Sequence, residues 1–374
     1  HPSMSSISGI REIAWLDCPG GGQVVVEGDY AYLGHMNAPA GTTVVDISDR
    51  SNPRVVASIE MPANTHSHKV RVGNGLMITN HERLSGPQSE GFMGGLGIYD
   101  ISNPKIPRKI CQWETAGKGV HRFDFDGRYA YISPTVEGYI GNIVMILDLK
   151  DPARPEEVGR WWMPGQWAAG GEEIDPAWDR EPRCHHPLRL GDRLYVSYWH
   201  AGFVILGIED LTKPRFISGL DWSPPFPWPT HTTLPIPFPI QGRRVMLVAD
   251  EDVAQLYPSS PSFLWMVDIT DETHPMPFAS FQLDDVDGSP QPPMSGCHQP
   301  CEIVTGTEIP VAWFAGGLRV VDIAKPHAPK EVAHFLPDPP PGSERVSSND
   351  VTVDENGLIF LLDRVRGLHI LERT

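Results

Sequence analysis

Short apolar runs, each entered through glycine and left through aspartate, recur along the chain. Gly316-Gly317-Leu318-Arg319-Val320-Val321-Asp322-Ile323 is followed by Pro329, and Gly94-Gly95-Leu96-Gly97-Ile98-Tyr99-Asp100-Ile101 repeats it closely. Looser copies end at Asp46-Ile47, Asp148-Leu149, Asp210-Leu211 and Asp268-Ile269, and Gly367-Leu368-His369-Ile370-Leu371 is a truncated one. The aspartates at 46, 100, 148, 210, 268 and 322 are spaced by 54, 48, 62, 58 and 54 residues. Seven copies at a period of roughly 50 residues mark a repeat architecture. Sustained 3.6-residue periodicity is missing throughout, so helices should be scarce.

Each repeat divides into four short strands separated by turn residues. The second repeat gives strands at 68–72, 76–79, 96–100 and 108–113, and the third gives 121–125, 129–132, 143–148 and 157–161. Four strands per unit at this period predict an all-β fold, a single seven-bladed β-propeller. Blades start near residues 23, 68, 121, 186, 231, 298 and 349. The last repeat stops one strand short, while Ile10-Arg11-Glu12-Ile13-Ala14-Trp15-Leu16 supplies a spare apolar strand. The spacing therefore predicts that residues near 10–17 become the outer strand of blade seven and close the ring. Length alone would suggest two or three domains; the repeat makes residues 1–374 one domain.

The repeated ending in Val-Asp-Ile or Tyr-Asp-Ile resembles the LVIVD-repeat β-propeller family over essentially the whole chain. In architecture and histidine use the sequence is more loosely similar to the selenium-binding protein and methanethiol oxidase group, an analogy only.

Histidines fall at one repeated place. Eight residues before the first apolar position of the second strand stand His68, His121 and His186, and His231 and His298 take that place after longer hairpins. Blade seven has Asp350 there, beside Asn349, and blade one has Gly22. Equivalent starts of the innermost strands form a ring on a propeller axis. Converging imidazoles are good ligands for iron, copper, zinc or nickel, a use made of histidine by the unrelated carotenoid oxygenase propellers. A lone histidine at a strand start is ordinarily a structural hydrogen-bonding residue; five in register argue for more. His68, His121, His186 and His298 are the expected ligands of a divalent transition metal (Fe, Cu, Zn or Mn). His231 and Asp350 are expected to serve as further ligand, acid or base. His66, His185 and His200 are placed on the rim, and Cys184 and Cys297 are expected to pack between blades because neighbours on a strand face opposite ways.

Long insertions precede His186 (about 165–183), His231 (223–229), His298 (284–296) and Asp350 (338–348), rich in Trp, Phe and Pro. Their position predicts an apolar pocket for a small organic substrate over the histidine face, or alternatively a contact between copies. The net charge of −17 argues against nucleic acid or an anionic membrane as partner, and no apolar run approaches the ~18 residues of a membrane span. Five scattered cysteines are not a disulfide framework, which favours the cytoplasm, although the chain opens His1-Pro2-Ser3 and a removed leader stays open. The aspartates that end each run are read as turn caps. The functional expectation is a metal-dependent enzyme, an oxidoreductase or oxygenase, with a lyase, isomerase or hydrolase as alternative and a non-catalytic interaction platform as the competing class.

Overall fold

In the computed structural model, residues 5–178, 180–223, 225–253 and 258–374 are described. Asp179 and Pro224, within the insertions of blades four and five, lie outside them. The chain forms seven antiparallel sheets arranged around an axis. Blade one comprises Gly21–Glu27, Tyr30–His35, Ala40–Asp46 and Arg54–Glu60, and later blades repeat this meander. The one helical turn among the described residues is a 3₁₀ turn at Ala168–Gly170.

Local chemistry explains the repeat. The aspartate at the end of each third strand accepts a hydrogen bond from the backbone N–H two residues on: Ser48 to Asp46 at 2.9 Å, Ser102 to Asp100 at 2.8 Å, Thr270 to Asp268 at 2.8 Å and Ala324 to Asp322 at 2.8 Å. Such a carboxylate ends the strand by starting the turn. Between third and fourth strands the register slips in each of blades one to six, for example between Val44 and Val45 and between Val320 and Val321. A bulge of this kind increases strand twist, which lets flat sheets become propeller blades.

The core lies between blades. Val24, Leu33 and Val45 of blade one pack with Phe360, Leu362 and Ile370 of blade seven. Tyr131 and Ile146 of blade three pack with Val196 and Leu206 of blade four. Cys184 and Cys297 sit in these interblade layers, and all five cysteines are free.

Ring closure follows the expected route. Ile10–Leu16 pairs antiparallel with Gly367–Arg373 as the outer strand of blade seven. The segment before it does more: Ser6–Ser8 adds to Lys330–Leu336 as a fifth strand of blade six. The N-terminal segment thus spans two blades. No helix is long and apolar enough to cross a membrane.

Leu371, fully buried on the closing strand, should lose about 2–5 kcal/mol of stability as Leu371→Ala. Deleting residues 1–17 should lower the unfolding midpoint further and produce self-association, because it bares the Gly367–Arg373 edge. Urea unfolding and light scattering check both; an unchanged midpoint in the deletion contradicts the closure account.

Candidate functional site

The innermost strands begin irregularly, and that irregularity builds the site. The register slips between Gly21 and Val24, Val120 and Phe123, Thr230 and Thr232, and Ser348 and Asp350. In blade two the strand is interrupted between His66 and Val70. A bulge sets two residues against one on the partner strand, so consecutive side chains both reach toward the axis. The result is two stacked tiers.

The upper tier is Gly22, His68, His121, His185, His231, His298 and Asn349. Neighbouring ring centroids are 5.0 Å apart for His68–His121, 4.5 Å for His121–His185, 4.4 Å for His185–His231 and 4.3 Å for His231–His298. His66 joins from blade two, stacked on His68 at 3.5 Å. Blade one contributes no side chain because a Cβ on Gly22 would lie 2.4 Å from the His68 carbonyl oxygen.

The structure therefore brings His68, His121, His231 and His298 together and sets His186 and Asp350 one tier lower. The offset has a simple cause. Gly34, Asn80, Ser133 and Ser197 follow Gly22, His68, His121 and His185 by twelve residues each. In blade four Arg193, not Leu194, takes the first position of the second strand, so counting eight from an apolar residue lands on His186 instead of His185. In blade seven the hairpin is one residue longer, and Asn349 takes the upper place.

The lower tier is an ionic layer. The Arg122 guanidinium donates to Gln299 Oε1 at 2.9 Å and to Glu302 Oε1 at 2.7 Å. Glu302 also meets Arg71 at 2.7 Å and His186 Nε2 at 3.1 Å. The Thr232 hydroxyl donates to Gln299 at 2.7 Å, and Asp350 accepts from the Val24 N–H at 2.8 Å. Burial pushes the Asp350 carboxyl up to about 6 against the pull of Arg122 and Lys69. This layer floors the histidine tier.

Above the tier, residues ending the second strands complete the mouth: Glu82, Trp199, Glu251, Phe314 and Arg364. Sequence reasoning missed all of them. The available signal was their own register, two residues past Asn80, Ser197, Ala249, Ala312 and Leu362 in turn. Trp199 stacks on His185 at 4.7 Å and Phe314 on His298 at 4.2 Å. Both hold positive φ, 56° and 46°, a conformation costly for bulky residues and concentrated at functional sites. Bridges to the next blade hold them there, Trp199 to Thr230 and Phe314 to Ser348. Arg183 lies over Trp199 and Arg364 over Phe314. The insertions knit together at this face, as in the Gly296 N–H bond to Asp252 at 2.7 Å and the Ala315 N–H bond to Met294 O at 2.8 Å. Insertion aromatics pack outside the histidine tier, Trp167 on Trp162 and Phe226 on Trp265 of the third strand of blade five, while the rings beside the histidines come from turns. His200 lies beyond Trp199, at 6.0 Å.

Proton counting exposes the electrostatics. His185 Nδ1 donates to the His231 carbonyl at 3.1 Å, which leaves its Nε2 a lone pair. That lone pair faces His121 Nε2 at 2.9 Å, while His121 Nδ1 faces Glu82 Oε1 at 2.8 Å. A neutral imidazole has one N–H for these two acceptors. The array closes either with a doubly protonated His121 or with a cation shared between lone pairs. His298 repeats the situation: Nδ1 donates to Asn349 O at 2.6 Å, and Nε2 faces Glu251 at 3.4 Å. Burial holds the surrounding imidazoles neutral, His66 and His298 down to about 4 and His68 and His231 well below the ordinary imidazole value. Burial opposes the Glu82 and Glu251 carboxylates, but His121 beside the first and His298 beside the second outweigh it, with Glu251 at about 2. Neutral imidazoles around ionised carboxylates are a cation-binding donor set.

Fold and axis together define a seven-bladed β-propeller with a histidine-lined, acidic mouth. The chain carries the LVIVD repeat, whose family model matches residues 21–60 and 310–336, within blades one and six. Similar solved structures include a β-propeller domain. U3-55K has a TM-score of 0.63 at 8% identity, covering 97% of this chain and 98% of that one. The Cps50 (Swd1) β-propeller domain of Myceliophteria thermophila has a TM-score of 0.59 at 10% identity, covering 96% and 99%. The computationally designed Ika8 protein has 0.54 at 8% identity, covering 96% and 98%. At these identities the likeness is one of fold. No curated protein matches the sequence, and the looser similarity to the selenium-binding protein group is not evidenced by these matches.

Replacing Arg122 with Met strands Glu302 and Gln299 in a buried layer and should cost about 3–5 kcal/mol. Arg11→Met, which removes an exposed partner of Glu372, should change stability by no more than about 1 kcal/mol. Urea denaturation of the pair checks this; equal effects would contradict the ionic floor.

Proposed function

We propose that the chain is a metal-dependent enzyme, an oxidoreductase that acts with dioxygen on a small, partly apolar organic molecule at the axial mouth. The observation that carries this reading is the proton shortage along Glu82, His121 and His185. An ion taken up at the bare His185 Nε2 would relieve that shortage, because the single His121 proton then serves Glu82 alone. His231 and Glu251 complete the donor set: the donor atoms of His185, His231 and Glu251 lie within 4.8 Å of one another.

The donor chemistry fits iron(II) best, since two histidines and a carboxylate with open positions are the non-haem iron pattern. When bound, the ion supplies the redox centre and Lewis acid. The remaining work falls to the chain. Carbonyl and carboxylate acceptors fix which ring nitrogen of His66, His121, His185 and His298 faces the axis. Trp199 and Phe314 shield two of the imidazoles from water. A cavity of about 450 Å³ on blades one and two is lined by Met36, Pro39, Ala63 and Leu84 with Asn37, Asn64 and His66, a mixed surface suited to a small substrate. Arg183 and Arg364 offer cationic ends for a polar substituent. His186 and Asp350, one tier below, support this site from beneath.

A second reading rests on the same donors: two histidines and a glutamate also hold hydrolytic zinc. Elemental analysis of protein purified without chelators, followed by turnover of small phenols, thiols, aldehydes and esters with and without dioxygen, separates them. The expected result is bound iron, its loss by at least tenfold in a His185→Ala, His231→Ala double variant, and turnover that requires dioxygen. Bound zinc with dioxygen-independent turnover would favour hydrolysis. A metal-free protein that takes up no metal overturns the reading.

A further inference from the structure

Resting on that reading, we infer that the axial mouth holds two metal ions, one in the His185–His231–Glu251 set and a second in a separate set made by His66, His68 and Glu82. The donor atoms of the second set also lie within 4.8 Å of one another, and all three residues are buried. His66 is oriented as a ligand: its Nδ1 donates to Met36 O at 2.6 Å, which turns a bare Nε2 to the site. Its stacking on His68 at 3.5 Å brings two imidazoles from one strand to the same place, an arrangement that a structural role for either would not require.

The two sets are distinct. The His66 and His121 centroids are 6.5 Å apart, and His185 lies a further ring beyond His121. Ligand bonds of about 2 Å do not span that distance, so one ion cannot draw on both ends. His121 stands between, with one ring nitrogen on Glu82 of the one set and the other on His185 of the other. It is a positioning residue for both and the hydrogen-bonded link between them. The surroundings differ as well. The 450 Å³ cavity reaches His66 and no member of the His185 set, while His185 lies beneath Trp199. The cavity thus gives the His66, His68 and Glu82 set a neighbouring space of its own, while the His185, His231 and Glu251 set keeps a partly exposed carboxylate.

The test uses Mn(II) as probe on the full-length chain, stripped by chelation and dialysed. Bound metal is counted by elemental analysis, and spin coupling is read by electron paramagnetic resonance. Wild type should bind two equivalents and show coupled spins. Glu82→Gln and Glu251→Gln should each bind one and show an uncoupled spectrum. His66→Ala and His231→Ala repeat the assignment should either glutamate variant fail to fold by circular dichroism. One equivalent in wild type, or the same single ion lost in both glutamate variants, overturns the two-ion inference and leaves the enzyme reading standing. No binding at all overturns both.

Discussion

Everything at the axis depends on the irregular start of the innermost strands. A regular strand would send one residue inward and the next into the interblade core. The extra residue at the bulge turns two consecutive positions to the channel, which is why a histidine tier can sit directly on an ionic tier. Arg122 illustrates the consequence: it follows His121 in sequence, yet its guanidinium reaches Gln299 and Glu302 on blade six. Blade packing fixes the height of each tier, and the tiers fix which groups meet. The chemistry is thus a property of register, set by turn-capping aspartates and slipped pairings far from the axis.

Charge is arranged in the same layered way. Glu302 is held by two guanidiniums beneath, so the lower tier is internally compensated. At the mouth Glu82 and Glu251 meet imidazoles and the charges of Arg183 and Arg364, and a divalent ion there would use the lone pairs that the hydrogen-bond pattern leaves bare. The strained turns at Trp199 and Phe314 place aromatic faces against the same imidazoles.

The fold was legible because its determinants are local and repeated: a glycine entry, an apolar run, an aspartate that caps the turn, and a spare strand at 10–16 to match a missing one. The histidine belt was legible in outline for the same reason, through His68, His121, His231 and His298. His185 was not distinguished from His186, because the second strand of blade four starts at the polar Arg193, which a count from the first apolar residue passes over. Glu82, Glu251, Trp199 and Phe314 were hidden more deeply. They share a structural position but no residue type, so no motif joins them until the second strands are paired. The fifth strand at Ser6–Ser8 was missed for a related reason, being three residues with little apolar pattern.

The central claim is that the axial imidazoles and carboxylates are ligands and not a hydrogen-bonded plug. Anomalous X-ray diffraction tests it most directly, on crystals of protein purified without chelators and soaked in iron(II) under anaerobic conditions, with data above and below the iron edge. The account predicts an anomalous peak at the mouth within about 2.0–2.3 Å of His185, His231 and Glu251. A well-ordered map with no anomalous density there, and with His121 Nε2 still at hydrogen-bond distance from His185, would contradict it.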